Sequence, residues 1–249
     1  LVLAAETQFY TPADLKHLLN EALRYALFNG RMHITYEDFR RAQPEHEMGL
    51  RSPIKSLSKE DKYRLAAHEA GHAIALRLYM PNYRISRITI IRQGEALGHV
   101  SYQPAIEEYD YMSTYDHQLN QLRMAVAGKA GEMEFCGEDA QTLGVGGDFA
   151  YIRAVLRRMA DAGMFGPIGI NQPEAKEVVA LMEETFLTVL HDVRLALRYH
   201  REMGEMLIRL LIEKDELLAN EAEAFFDQYG LFTPKIDLPA PKGETIVPA

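Results

Sequence analysis

The stretch His68-Glu69-Ala70-Gly71-His72 decides how the rest of the chain reads. Two histidines four residues apart stand one above the other on a helix, so both imidazoles can reach a single metal ion. Glu69 then falls beside that ion, where it can take a proton from a metal-activated water. Such a motif arises by chance in about one chain of this length in a hundred or two. Its neighbours sharpen it: Ala66, Ala67, Ala70, Gly71, Ala73 and Ala75 are small enough to let other backbone pack against the helix. A surface helix with two solvated histidines would not need them.

Two histidines do not complete a tetrahedral zinc site, so a third protein ligand is required. The extended motif with a third histidine would need Gly at position 75 and His at 78, and this chain has Ala75 and Leu78. Downstream, Glu95, His99, Glu107, Glu132, Asp139 and Asp148 all carry suitable oxygen or nitrogen atoms. Residue chemistry alone leaves these candidates open.

In chain order, Thr11-Pro12-Ala13-Asp14 opens a helix that runs to Gly30. Thr35-Tyr36-Glu37-Asp38 opens a second, which Pro44 should end. Residues 44 to 57 contain Pro44, Gly49, Ser52 and Pro53 and read as a linker. The motif helix opens at Ser58 and runs to Met80 before Pro81. Residues 85 to 91 alternate and are rich in β-branched side chains, and with Leu97 to Tyr102 they predict a small sheet beside that helix. A long helix follows from Ser113 to near Gly137, its Ala125, Ala127, Gly128, Ala130 and Gly131 again implying close packing. The glycine-rich loop 138 to 147 leads into a helix at Asp148, where an aspartate is most simply a cap. The pattern breaks between Gly163 and Pro173. Residues 175 to 213 then form one long or two consecutive amphipathic helices, and Asn220-Glu221-Ala222-Glu223 caps a last short one.

The 249 residues are 47% hydrophobic and 25% charged, the composition of a globular chain with ample core. A formal net charge of -9 and the lack of any polybasic run disfavour nucleic acid and anionic lipid as partners. The single cysteine, Cys136, permits neither an internal disulfide nor a cysteine zinc site. No apolar run reaches the roughly 18 residues needed to span a bilayer, and the chain begins without an initiator Met, as a soluble piece of something longer would.

The segment His68 to Ala73 resembles the zinc motif of the FtsH family of membrane-anchored, ATP-dependent metalloproteases, and the similarity continues. Ile88-Thr89-Ile90-Ile91 with Ala96-Leu97-Gly98 is similar to that family's strand and Ala-Leu-Gly turn. Ala127-Gly128-Lys129-Ala130-Gly131-Glu132 resembles its Gly-Gly-Arg-Ala-Ala-Glu helix, and Gly147-Asp148 falls where it has Asn-Asp after a Thr-Gly-Ala loop. Upstream, Asn20-Glu21-Ala22 and Ile34-Thr35-Tyr36-Glu37-Asp38-Phe39 are similar to the helical lid of the family's AAA+ module. The chain departs from the family at Pro12, where Gly is usual, at Gly147 for Asn, and at Met133 for a second Glu.

The resemblance implies a mostly α, zincin-like helical peptidase domain over 58–233 with a small β-sheet at the cleft. A partial AAA+ lid at 1–46 and a linker at 47–57 would precede it, and a loose tail at 234–249 would follow. It implies zinc held by His68, His72 and Asp148 with Glu69 as base, and degradation of unfolded or membrane-extracted polypeptides in a homo-hexamer. The assembly would stand at the cytoplasmic face of a membrane through an upstream anchor, outside this chain. ATP would act only in the full-length protein, since no Walker A loop occurs here. If the strand at 85–91 has a free edge, substrate could add to it by main-chain hydrogen bonds at Ile88, Thr89 and Ile90. The reading from a different class is a non-catalytic peptidase-like scaffold, or a metal-binding module, serving an ATPase assembly. The intact Glu69 argues against it.

Overall fold

A computed structural model describes residues 7, 10–54, 57–104, 113–166 and 175–233. The tail at 234–249, Glu107 and the Pro173 boundary lie outside them.

Two helices form a small unit of their own. Helix α1, Pro12–Phe28, starts at a reciprocal cap: Asp14 N donates to Thr11 Oγ1 at 3.2 Å, and Thr11 N donates to the Asp14 carboxylate at 2.9 Å. Helix α2, Tyr36–Met48, packs on it through buried Leu18, Ala22 and Ala42, with Tyr10, Tyr25, Ile34 and Phe39 around them. The opposite face of α1 leaves Leu15, Leu19, Leu23 and Leu27 exposed.

Contrary to the sequence expectation, α2 does not end at Pro44 but passes through it. A proline in a helix leaves the carbonyl four residues back without its donor. Here the Arg40 carbonyl accepts instead from Arg87 Nη2 at 3.0 Å, so the defect is repaired from outside the helix.

The main core lies between helices α3 (Lys59–Tyr79), α4 (Tyr115–Cys136), α5 (Gly146–Asp161), α6 (Lys176–Tyr199) and α7 (Arg201–Lys214), closed on one side by a sheet and α8 (Ala219–Asp227). Ser58 caps α3 by accepting from Asp61 N at 3.0 Å, and the helix is buried without interruption from Ala66 to Arg77. An amphipathic surface helix would show one wet face; over this stretch α3 is covered all round. Its partner α4 crosses so closely that a Cβ on Gly71 would lie 2.2 Å from the Ala127 carbonyl oxygen. The small residues read from the sequence are therefore a backbone-to-backbone crossing. Helix α5 packs on α4, α6 on α4, and α7 on α3.

The sheet contains β1 (Tyr83–Thr89), β2 (His99–Pro104) and β3 (Glu216–Leu218), in the order β2-β1-β3 and antiparallel throughout. Thr89 faces His99 on one side and Glu216 on the other. The third strand is a finding that the sequence did not suggest. Three residues between two helices carry no alternation, and the turn that makes them a strand depends on Asp215 at φ 62°, in the left-handed region. Its carbonyl accepts from Ile90 N at 2.9 Å.

That strand corrects one expectation. With β3 on its far side, β1 has no free edge at Arg87–Thr89, and Ile88, Thr89 and Ile90 are buried. These residues cannot receive a substrate strand. The outer strands of the sheet are β2 and β3, and β2 is the one that follows Gly98 at the cleft.

Candidate metal centre

The backbone crossing of α3 and α4 places the two histidines of α3 against α4 in a buried pocket. His68 and His72 bring their Nε2 atoms to 3.1 Å, and both are less than a tenth exposed. Gly128 of α4 makes the space: a Cβ there would sit 2.5 Å from Nε2 of His68 and 2.6 Å from Nε2 of His72. Alanine at this position would fill the volume between the rings.

Each ring is oriented from behind. His68 Nδ1 lies 2.8 Å from Glu132 Oε1, and His72 Nδ1 lies 2.8 Å from the Met124 carbonyl oxygen. A carbonyl and a carboxylate only accept, so both Nδ1 atoms donate and both Nε2 atoms present lone pairs to the same point. Asp148, in the first turn of α5, completes the set with Oδ2 3.3 Å from each Nε2. Three acceptor atoms at 3.1 to 3.3 Å from one another repel unless a cation or proton lies between them. The edge of a tetrahedron around an ion bonded at 2.0–2.1 Å is about 3.3 Å, so this triangle fits one face of a zinc site. It is the one such ligand cluster among the described residues.

The electrostatics agree. Burial opposes charge on His68, yet Asp148 and Glu132 outweigh it and push the imidazole up to about 10. Burial likewise opposes charge on Asp148, yet the two imidazoles hold its carboxyl well below the usual range. Both shifts report a pocket that demands positive charge.

Glu69 lines the same cleft as this triangle without being part of it. It is 3% exposed, burial raises its pKa, and its Oε2 has no hydrogen-bond partner among the described residues. Gly98 leaves it room, since a Cβ there would lie 2.7 Å from Glu69 Oε1 and from the Thr89 carbonyl oxygen. The Ala-Leu-Gly turn is thus fitted to the side chain of Glu69.

The other candidate ligands fall elsewhere. Glu132 stands behind His68, as its orienting partner, and also accepts from Thr142 N at 2.7 Å. Glu95 and Asp139 are exposed. His99 lines the cleft but is held neutral, its pKa lowered to about 4 by burial and by Arg87 and Arg51. Asp148 is not a cap: Gly146 and Gly147 are already helical, which puts it inside the first turn with its carboxylate turned to the histidines. Sequence reading missed the roles of Gly128, Thr142 and the Met124 carbonyl. Only Gly128 left a trace, as one small residue in the stripe of α4.

A cleft of 780 Å³ opens in front of these groups, lined by His68, Glu69, His72 and Asp148 together with Leu65, Leu97, Val100, Tyr102 and Leu143.

Comparison with known proteins follows the same lines. Residues 55–189 match the model of Peptidase family M41. The chain is 33% identical over 236 residues to the ATP-dependent zinc metalloprotease FtsH of Thermus thermophilus, covering 91% of this chain and 36% of that protein. It is 35% identical over 176 residues to the protein of the same name from Aquifex aeolicus, covering 68% of this chain and 27% of that one. It is 27% identical over 237 residues to the mitochondrial inner membrane m-AAA protease component yta12 of Schizosaccharomyces pombe, covering 89% of this chain and 30% of that one. The chain thus spans about a third of the length of these relatives. No helix among the described residues is long and apolar enough to cross a membrane. With the family model matched across the motif helix, the α4 crossing and Asp148, the chain belongs to peptidase family M41.

Proposed function

We propose that this chain is a zinc-dependent endopeptidase in which His68, His72 and Asp148 hold the metal and Glu69 is the general base. The observation that carries the reading is the triangle of lone pairs at 3.1 to 3.3 Å with an unpartnered, buried carboxylate oxygen beside it. Zinc, when bound, supplies Lewis acidity that makes a coordinated water acidic near neutrality and polarises a peptide carbonyl. Glu69 accepts the proton of the attacking water and passes it to the leaving amine. Its burial favours both halves of that task, because a carboxylate in an apolar pocket is a stronger base. Glu132 and the Met124 carbonyl keep the two imidazoles in the one tautomer that leaves Nε2 free. A scaffold without turnover would not need a buried carboxylate left without a partner.

An extended substrate docks along β2, an outer strand of the sheet, beside Gly98 and Glu69, through main-chain hydrogen bonds that tolerate many side chains. Unfolded polypeptides are therefore the substrate class. The names of the relatives support a wider role in ATP-dependent, membrane-associated proteolysis, and the family resemblance extends it to the proteolytic part of a homo-hexamer. In it, the α1–α2 pair is the remnant of an AAA+ lid, and nucleotide chemistry and the membrane anchor come from outside this chain.

The test is cleavage of an unfolded, dye-labelled protein by metal-loaded and chelator-treated protein, with zinc counted by elemental analysis. Loss and return of cleavage with one zinc per chain supports the reading; cleavage that survives metal removal overturns it. Proline substitutions along His99–Gln103 should slow cleavage with zinc retained, and unchanged rates would remove the docking edge. Light scattering that finds only monomers under all conditions would count against the ring.

A further inference from the structure

The α1–α2 unit carries a second constellation of metal-binding side chains that the catalytic reading does not use. His17 on α1 and His46 on α2 approach with their Nδ1 atoms 3.1 Å apart and their ring centroids 5.0 Å apart. Asp14, one turn before His17, sets its Oδ1 3.5 Å from Nε2 of His46. Because a carboxylate only accepts, it keeps the proton of His46 on Nε2 and turns the Nδ1 lone pair toward His17. Asp14 is itself fixed, since its Oδ2 accepts from Thr11 N at 2.9 Å and Thr11 Oγ1 at 2.7 Å. The Tyr10 ring packs against His46 from the side, centroids 5.4 Å apart.

We propose that His17 and His46 form a second site for a divalent transition-metal ion of the zinc, nickel or copper class. In this site Asp14 is the orienting carboxylate and water fills the remaining positions. The separation of 3.1 Å lies between the edges that two ligands bonded at about 2.0–2.1 Å would span, roughly 2.9 Å at a square-planar corner and 3.3 Å in a tetrahedron. The imidazoles come from different helices, so an ion between them ties α1 to α2. That tie matters here because the core cluster between the two helices is small, with Leu18, Ala22 and Ala42 as its buried residues among those described. Two protein ligands and open coordination positions make the site weaker than the catalytic one, and able to exchange metal with solution.

Zinc titration of the metal-free full chain by calorimetry, with metal counted by elemental analysis, tests this. Two classes of site are expected. His72→Ala should abolish the tighter class and leave the weaker. His17→Ala, an exposed position, should abolish the weaker class while leaving the tighter one and cleavage intact. Asp14→Asn should weaken the second class by about tenfold. A single class in the wild type, or a weaker class that persists in both His17→Ala and His46→Ala, overturns the proposal.

Discussion

Two histidine pairs in this molecule bring ring nitrogens to the same 3.1 Å, and nearly everything around that contact differs. His68 and His72 lie on one helix, buried, with each ring oriented by an acceptor 2.8 Å behind it and the Asp148 carboxylate 3.3 Å in front. His17 and His46 lie on two helices at the rim, with one carboxylate at 3.5 Å and solvent beyond. The difference teaches that close imidazoles are easily reached and do not by themselves make an active centre. What sets the first pair apart is the shell: a crossing tight enough to fix the rings, a cavity in front of them, and a buried carboxylate whose Oε2 has no partner among the described residues.

The largest expected effect removes the base. Glu69→Gln is nearly isosteric but cannot take a proton, so cleavage should fall by about 10² to 10⁴ while zinc stays bound. Activity and metal content measured on the same sample decide it, and loss of zinc as well would make Glu69 a ligand. Next comes Asp148→Ala, which should leave a two-histidine site that loses metal and activity together, with excess zinc restoring part of either at most. If Asp148 were only an end-of-helix residue, the change would cost about 1 kcal/mol of stability with activity intact. Glu132→Gln is milder, because the amide can still accept from His68 Nδ1. Zinc affinity should drop by about 10- to 100-fold, or roughly 1.4 to 2.8 kcal/mol, read by competition with a chelating dye.

The smallest effect belongs to the other region. Asp38 is held well below the usual carboxylate range first by Arg31, whose guanidinium pairs with it at 2.7 Å, and then by Thr35. A depressed folded-state pKa contributes stability that is present above the ordinary value near 4 and lost as pH falls below it. Amides of Leu18 and Ala22 should therefore lose hydrogen-exchange protection in acid, and Arg31→Ala should remove that dependence. An acid profile unchanged in Arg31→Ala would assign the transition to other groups.

Much of this contrast was written in the sequence, unevenly. The histidine pair, the glutamate beside it and the close crossing could be read because each rests on local spacing or on side-chain size: His68 to His72 on one helical turn, Ala67 and Gly71 against Ala127 and Gly131. Asp148 could not be chosen on chemistry, since its geometry depends on where α5 lies relative to α3, and only family resemblance pointed to it. Pro44 misled because the donor that rescues the Arg40 carbonyl comes from Arg87, 47 residues away in the chain. The same is true of β3. Residues 216 to 218 become a strand only because β1 offers a partner, and no local pattern records that. From this one missed strand follows the misplacement of the docking edge at Ile88–Ile90.

Thr142 has a consequence for how the metal leaves. Its N–H and hydroxyl both bind Glu132, which binds His68, and six residues further on, in the first turn of α5, stands Asp148. If the proposed ligand set is right, loss of Asp148 from the metal and loss of the group that steadies His68 should come together, in one opening of the segment from Thr142 to Asp148. Stripping by a chelator should be gated by that movement: its rate should level off as chelator concentration rises, at the opening frequency of the loop. Thr142→Val, which removes one of the two contacts, should raise the plateau without changing the ligands.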